Sequence, residues 1–188
     1  MNETLKIIAE RFSCRAFDDR LPEMEKLEKI ALAAVQSPSA LNRQPWRIKV
    51  IIDKEFIGEM DIEGMHVLSE AGDKSVYERF MDRGGRLFYN APCMFLILQQ
   101  SGAEIDTGIV SENISIAAAS LGLGSVICGM ARIPFESKNG DTFKQRAGFE
   151  IGFEFGVSVL VGYAKKFGVP HEPDSSKISF IENYSKLS

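Results

Sequence analysis

The stretch that says most about the fold is SPSALNRQPW, residues Ser37–Trp46, which lies between a predicted helix and a predicted strand. The helix must end before Pro38, because a proline ring disfavours helical geometry in the residue before it. Asn42 and Gln44 each offer a donor and an acceptor, which suits the edge of a flat heterocycle with carbonyl and ring N–H groups. The small residues at 37–40 would let a planar ligand lie close to the backbone. A helix-ending turn whose prolines direct the chain into the strand explains the same letters without a ligand.

A second stretch, RFSCR at Arg11–Arg15, predicts a phosphate site. In an extended segment alternate residues point the same way, so Arg11, Ser13 and Arg15 would converge. Guanidinium groups and a hydroxyl suit phosphate oxygens, because charge-assisted and bidentate hydrogen bonds match their geometry. A solvated basic loop that forms ion pairs with nearby carboxylates is the alternative, and spacing alone favours it.

A third stretch, LGLGSVICGM at Leu121–Met130, is typical of a tight turn from a helix into a strand. It lacks the order of the dinucleotide fingerprint, in which the glycines follow a strand and open a helix. The strand after the turn can still offer backbone N–H groups to a ligand. Cys128 within it is interpreted as a small core residue rather than a nucleophile.

Composition and charge exclude several classes of protein. The 188 residues suit one domain, residues 1–188, and the net charge of −4 argues against a general nucleic-acid binder. No stretch reaches the roughly 20 apolar residues of a membrane span, and the N-terminus lacks the apolar core of a secretion signal. The three cysteines, at 14, 93 and 128, have no metal-like spacing. We therefore expect reduced thiols in a cytoplasmic protein.

Hydrophobic periodicity predicts a layered mixture of helices and strands. The predicted helices are Asn2–Ala9, a helix from Pro22 to before Pro38, most of Asp53–Arg86, a helix capped by Asp106-Thr107 and running to Leu121, and Glu136–Ala147; the predicted strands are Trp46–Ile52, Cys93–Leu98, Val126–Ile133 and Phe155–Tyr163.

Two predicted elements need a covering surface. The helix that ends at Leu121 is apolar on most sides, so its own domain or a partner subunit must cover it. The tail is polar and proline-bearing over Pro170–Lys177 and then ends in the apolar Ile178–Ile181. We expect this last segment to dock as an edge strand.

Taken together, the three stretches resemble the nitroreductase family of flavoproteins, in the family's order and approximate spacing, and the resemblance extends to Tyr163. The resemblance implies an α+β fold with a mostly antiparallel central sheet flanked by helices. It also implies a homodimer in which the C-terminal tail of one subunit extends over the other.

The resemblance further implies FMN as cofactor. Arg11, Ser13 and Arg15 would hold its phosphate, and Asn42, with Gln44 close by, would contact the pyrimidine edge of the isoalloxazine. Pro38, Ser39 and Ala40 would approach the flavin bound mainly to the other subunit, and the backbone near Cys128 and Gly129 would lie by flavin N5. The implied cofactor-binding residues are thus Arg11, Phe12, Ser13, Arg15, Pro38, Ser39, Ala40, Asn42, Gln44, Cys128 and Gly129.

The activity implied by the resemblance is reduction of nitroaromatics, quinones or similar acceptors by NAD(P)H in a ping-pong cycle, with no catalytic side chain. Dehalogenation, flavin fragmentation or a non-catalytic flavin-binding role are the alternatives. The chain departs from the family's pattern near its C-terminus, where an arginine or lysine reaches the phosphate in many members. Here Lys165, Lys166 and His171 are all candidates.

Overall fold

The computed structural model describes residues 1–181, which contain seven α-helices and four β-strands. The helices are α1 (Glu3–Glu10), α2 (Met24–Val35), α3 (Lys54–Glu70), α4 (Ser75–Met81), α5 (Glu104–Ser120), α6 (Ile133–Glu136) and α7 (Gly140–Arg146), and the strands are β1 (Trp46–Ile51), β2 (Cys93–Gln99), β3 (Gly124–Cys128) and β4 (Glu154–Gly162). The predicted single domain also includes residues 182–188, which lie outside the described residues.

The four strands form one sheet in the order β1-β2-β4-β3, and each neighbouring pair is antiparallel. The predicted α+β fold with an antiparallel central sheet is therefore confirmed. All seven residues of β2 are buried. This explains why its sequence is a continuous apolar run, since both faces of the strand are covered.

Helices cover the two faces of the sheet and define two cores. On one face Phe95 and Ile97 of β2 join a cluster with residues of α2 and α5, among them Ile30 and Ile114. On the other face Leu96 joins a larger cluster with residues of α3, α6 and α7. The helix predicted to be apolar on most sides is α5, and its inner face forms part of the first core. Among residues 1–181 no helix combines the length and apolar character needed to cross a bilayer.

Three predicted boundaries were wrong. The third strand ends at Cys128 rather than Ile133, because residues 129–132 turn as a 3-10 helix and Pro134 then occupies the first turn of α6. The helix predicted over Glu136–Ala147 is instead the pair α6 and α7, and a Cβ at Gly140 would collide with the carbonyl of Phe135. Close packing at this break therefore needs glycine.

The start of α5 also differs from the prediction. Asp106 does not cap this helix. The helix begins at Glu104, and the residue at its N-cap position is Ala103, which has no side chain that could accept a hydrogen bond. Glu104 and Asp106 instead lie in the first turn. There a carboxylate interacts favourably with the helix dipole, which is the physical reason for the acidic start.

The tail forms no strand within the described chain. Ile178, Phe180 and Ile181 are 66%, 88% and 88% exposed, so Ile178–Ile181 does not dock on its own domain. Within residues 1–181 this segment therefore pairs with no strand. Docking of this segment on a partner subunit stays a prediction.

Asp61 of α3 joins that helix to the segment leading into β2. It is buried, and its carboxylate accepts the backbone N–H of Phe88 at 2.7 Å and Arg86 Nη1 at 3.3 Å. Burial raises the pKa of Asp61 above its ordinary value, while these donors act in the opposite direction. The carboxylate therefore satisfies a backbone donor that would otherwise be buried without a partner.

Replacing Asp61 by alanine is expected to lower the free energy of unfolding by about 2–3 kcal/mol, because a buried N–H and a guanidinium lose their acceptor. Urea titration at pH 7 measures this change. Asp61→Asn is the matched control, since the amide oxygen can still accept the N–H of Phe88. An equal loss in both variants would contradict the assignment of the loss to that donor.

The raised pKa also predicts a pH dependence. Protonation of Asp61 favours the fold, so its contribution is complete below the ordinary pKa of 3.8 and is lost as the pH rises through the raised value. Asp61→Asn is expected to remove this part of the dependence.

Candidate functional site

The Arg11–Arg15 segment lies alongside the edge strand β3. The backbone N–H of Cys14 donates to the carbonyl of Ser125 at 2.8 Å, and the Cys14 side chain is fully buried. Ser13 and Arg15, on either side of it, are exposed. The predicted alternation is therefore present at residues 13–15, where Ser13 and Arg15 face away from the core on either side of the buried Cys14.

Arg11 comes directly after α1 and reaches towards α5. Its Nε lies 3.6 Å from Oε1 of Glu112, and this nitrogen is buried without a hydrogen-bond partner among the described residues. Next to the same segment, the backbone N–H of Lys165 donates to the carbonyl of Ala16 at 2.9 Å. Of the three C-terminal candidates, Lys165 is thus bonded to the segment through its backbone.

A cavity of about 290 Å³ opens beside Arg11 and Phe12, between α1, the end of α5 and the turn into β3. Gly122 in this turn has a φ of +75°, which glycine adopts without strain. A Cβ at Gly124 would lie 2.9 Å from the Cβ of Cys14, so only glycine lets the two segments approach. The glycine-rich stretch is therefore a tight helix-to-strand turn, as predicted. The cavity is lined by Ile7, Glu10, Arg11, Phe12, Ala119, Gly122, Leu123, Gly124, Ser125, Tyr163, Ala164 and Phe167.

The Ser37–Trp46 stretch contains strained backbone. Leu41, Asn42 and Gln44 have φ values of +53°, +53° and +49°, which non-glycine residues seldom adopt. The Ser39 hydroxyl accepts the backbone N–H of Gln44 at 2.9 Å, and Gln44 Nε2 donates to Asn42 Oδ1 at 3.0 Å. Backbone strain of this kind often occurs at binding sites and persists only where the surroundings hold it.

This stretch lies against the other end of α5. Pro38, Ser39 and Ala40 line a second cavity, of about 360 Å³, together with residues at the start of that helix. The α5 residues that line this cavity end at Ile109, whereas Ala119 is the α5 residue that lines the first, so the two linings are about 15 Å apart along α5 at 1.5 Å per residue. The single chain therefore does not bring the two candidate segments together.

Cys128 and Gly129 lie where β3 ends. The Cys128 side chain is buried, whereas Gly129 and the preceding Ile127 are exposed on the edge strand. A groove of about 470 Å³ lies between Ile127, the first half of α5 and Arg132. The sequence did not single out Ile127 or Arg132. A single apolar or basic residue does not show which face of a strand is exposed to solvent.

The family of the chain follows from the comparison with known proteins. Residues 8–163 match the sequence model of the Nitroreductase family. The chain belongs to the nitroreductase family. All the predicted cofactor-binding residues lie within the match, whereas Lys165, Lys166 and His171 lie after it.

Individual relatives agree with this assignment. A relative from Archaeoglobus fulgidus, named "Putative NADH dehydrogenase/NAD(P)H nitroreductase", is 33% identical over 138 residues, which are 69% of each chain. The structure of a nitroreductase with bound FMN from Desulfitobacterium hafniense DCB-2 is 46% identical, with a TM-score of 0.94 over 97% of this chain and 100% of that one. A nitroreductase with bound FMN from Bacteroides fragilis NCTC 9343 is 21% identical, with a TM-score of 0.86 over 97% and 100%. At that identity the likeness shows the fold.

The three cysteines of the chain are buried. Burial raises the pKa of Cys128 to about 11 and that of Cys93 to about 12, and it also raises the pKa of Cys14. Near neutral pH these side chains are therefore thiols rather than thiolates, and the thiolate is the reactive form. This supports the interpretation of Cys128 as a core residue.

Alkylation by iodoacetamide at pH 8 is expected to be slow for all three cysteines in the folded protein and fast after unfolding in guanidinium chloride. Mass spectrometry of tryptic peptides measures the extent at each position, with glutathione as the reference thiol. Modification of Cys128 in the folded protein at the rate of glutathione would contradict this assignment.

Proposed function

We propose that this chain binds FMN and is an oxidoreductase that uses NAD(P)H to reduce nitroaromatics, quinones or similar acceptors by a ping-pong cycle. The observation that carries the proposal is the Arg11–Arg15 segment on the open edge of β3. There the exposed Ser13 and Arg15 lie near a guanidinium whose Nε is buried without a hydrogen bond. The bound FMN in the 46% identical relative supports the choice of cofactor.

The residues of the chain fit a flavin mononucleotide. Arg11, Ser13 and Arg15 offer charged and neutral donors to a phosphate. Arg11 and Phe12 line the cavity of about 290 Å³, whereas the exposed Ser13 and Arg15 lie outside its lining. From this segment the edge of β3 runs past Ile127, whose apolar side chain is 43% exposed, to the exposed backbone of Gly129. An apolar surface next to exposed backbone suits the ring system, and we propose that Cys128 and Gly129 lie at its N5 edge.

When bound, FMN supplies the ring that accepts and donates hydride. The chain's own part is to bind and orient, which agrees with the lack of a predicted catalytic side chain. Donors near the pyrimidine edge, such as the amides of Asn42 and Gln44, would stabilise negative charge on that edge. These two amides are hydrogen-bonded to each other and exposed, so they are already held in place.

The complete site requires two chains. In one chain the Arg11–Arg15 segment meets α5 from its middle, at Glu112, towards its end, whereas the Pro38–Ala40 loop lies at its start. On the outward face of this helix, Ile105 is 82% exposed and Ile109 and Ile116 are partly exposed. An apolar face of this kind needs a covering surface. A homodimer packed along α5 would cover it and place the loop of one subunit against the flavin of the other.

The experiment that tests the function is identification of the flavin released from the purified protein, followed by anaerobic addition of NADH or NADPH. We expect a yellow protein that contains FMN, loses its absorbance near 450 nm with at least one nicotinamide, and regains it with a quinone or nitroaromatic. A colourless protein that cannot be reconstituted with FMN would end the proposal. Bound FMN that neither nicotinamide reduces would favour the alternative reactions. We further propose a cytoplasmic location, which the three unpaired cysteines support.

A further inference from the structure

The contact between Arg11 and Glu112 joins the proposed phosphate segment to the middle of α5. The closest approach is between Nε of Arg11 and Oε1 of Glu112, at 3.6 Å, and the two side chains are 21% and 42% exposed. The backbone of Arg11 is fixed at the end of α1, where its N–H donates to the carbonyl of Ile7 at 2.9 Å. The guanidinium is thus held from both ends, by α1 through the backbone and by α5 through the side chain.

The contact uses only one edge of the guanidinium. An arginine side chain has five N–H donors, one on Nε and four on its two terminal nitrogens. The carboxylate of Glu112 faces Nε, which has no hydrogen-bond acceptor among the described residues. The four donors of the terminal nitrogens, which form the fork that matches two phosphate oxygens, are therefore left for a ligand.

We propose that Glu112 is a positioning residue for FMN: it holds Arg11 by its Nε and presents the terminal nitrogens of that arginine to the phosphate. This inference rests on the proposed function. Without Glu112 the long arginine side chain must be ordered when FMN binds, which costs conformational entropy. With Glu112 in place, part of this cost is met when the protein folds.

Repulsion between the Glu112 carboxylate and the phosphate acts against this effect. Arg15 lies in the same segment and adds a positive charge, and the backbone of Lys165 is hydrogen-bonded to Ala16, the next residue after the segment. Glu10 is a second carboxylate at the cavity and forms no ion pair with Arg11. The two acidic residues therefore separate the positioning effect from the general effect of negative charge.

The test compares FMN and riboflavin, which differ only in the phosphate. Dissociation constants of both flavins are measured for the apoprotein of the wild type, Glu112→Ala, Glu112→Gln and Glu10→Ala. We expect Glu112→Ala to weaken FMN binding about tenfold, which is within the range for neighbours in one network, and to leave riboflavin binding nearly unchanged. Glu112→Gln keeps the length of the side chain but removes the ion pair, and is expected to lose about as much as Glu112→Ala. Glu10→Ala is expected to bind FMN as tightly as the wild type or more tightly.

Three results would overturn the inference. Unchanged or tighter FMN binding by Glu112→Ala would show that repulsion outweighs positioning. Equal loss of FMN and riboflavin would show a general structural role. An unchanged effect of Glu112→Ala in the Arg11→Ala background would show that Glu112 does not act through Arg11. In all three of these results the wild type still binds FMN, so the inference about Glu112 fails while the proposed function stands. A wild type that binds no FMN would contradict both the inference and the proposed function.

Discussion

Replacing both Arg11 and Arg15 by alanine is expected to weaken FMN binding by about 3 kcal/mol or more, which is over a hundredfold in the dissociation constant. A charged hydrogen bond contributes about 1.5–3 kcal/mol. We use the lower end for each residue, because Arg15 is exposed and water screens its charge. The loss is expected for FMN and not for riboflavin, which has no phosphate.

Flavin fluorescence titration of the apoprotein measures both dissociation constants. Arg146→Ala is the matched control, because Arg146 is an arginine of α7 that pairs with Glu59 of α3, outside both candidate segments. This control is expected to bind FMN like the wild type. FMN affinity that survives the double replacement would remove Arg11 and Arg15 from the site.

Mixing two inactive variants is expected to restore activity if each site contains residues of two subunits. One variant is Arg11→Ala/Arg15→Ala. The other is Ala40→Trp, whose indole would occupy much of the cavity of about 360 Å³ beside the Pro38–Ala40 loop. Each site combines the Arg11–Arg15 segment of one subunit with the Pro38–Ala40 loop of the other. In a mixed dimer, one site therefore contains both the arginine replacements and the tryptophan, and the other site contains neither. A two-fold dimer has two equivalent sites, and random mixing makes half of the dimers mixed, so about a quarter of the wild-type sites should return.

The measurement is reductase activity after the two variants are unfolded together and refolded, or are co-expressed with different tags and purified through both. Each variant treated alone is the control. Mixed dimers that bind no more FMN than either parent would contradict a shared site. A chain that sediments as a monomer with FMN bound would contradict it as well.

Local sequence determined the elements with strong patterns. The run in β2 predicted a strand buried on both sides, and the structure covers both of its faces. The alternation in the Arg11–Arg15 segment predicted that Ser13 and Arg15 leave the core on either side of Cys14, because neighbouring residues of an extended chain point in opposite directions. The glycine-rich turn after α5 was predicted for a similar reason, since its glycines meet requirements of φ and close packing. The three stretches together also identified the family, which the match over residues 8–163 confirms.

Tertiary structure alone decided where these elements end and what they meet. The strand β3 ends at Cys128 because α6 begins with its proline in the first turn, and α6 separates from α7 because the backbone packs closely at Gly140. The contact of Arg11 with Glu112 joins residues about a hundred positions apart, and no local pattern encodes it. The distance between the two candidate segments along α5 is also a property of packing. Local preferences thus determined the segments that can bind a flavin, while long-range packing decided that a single chain holds them apart.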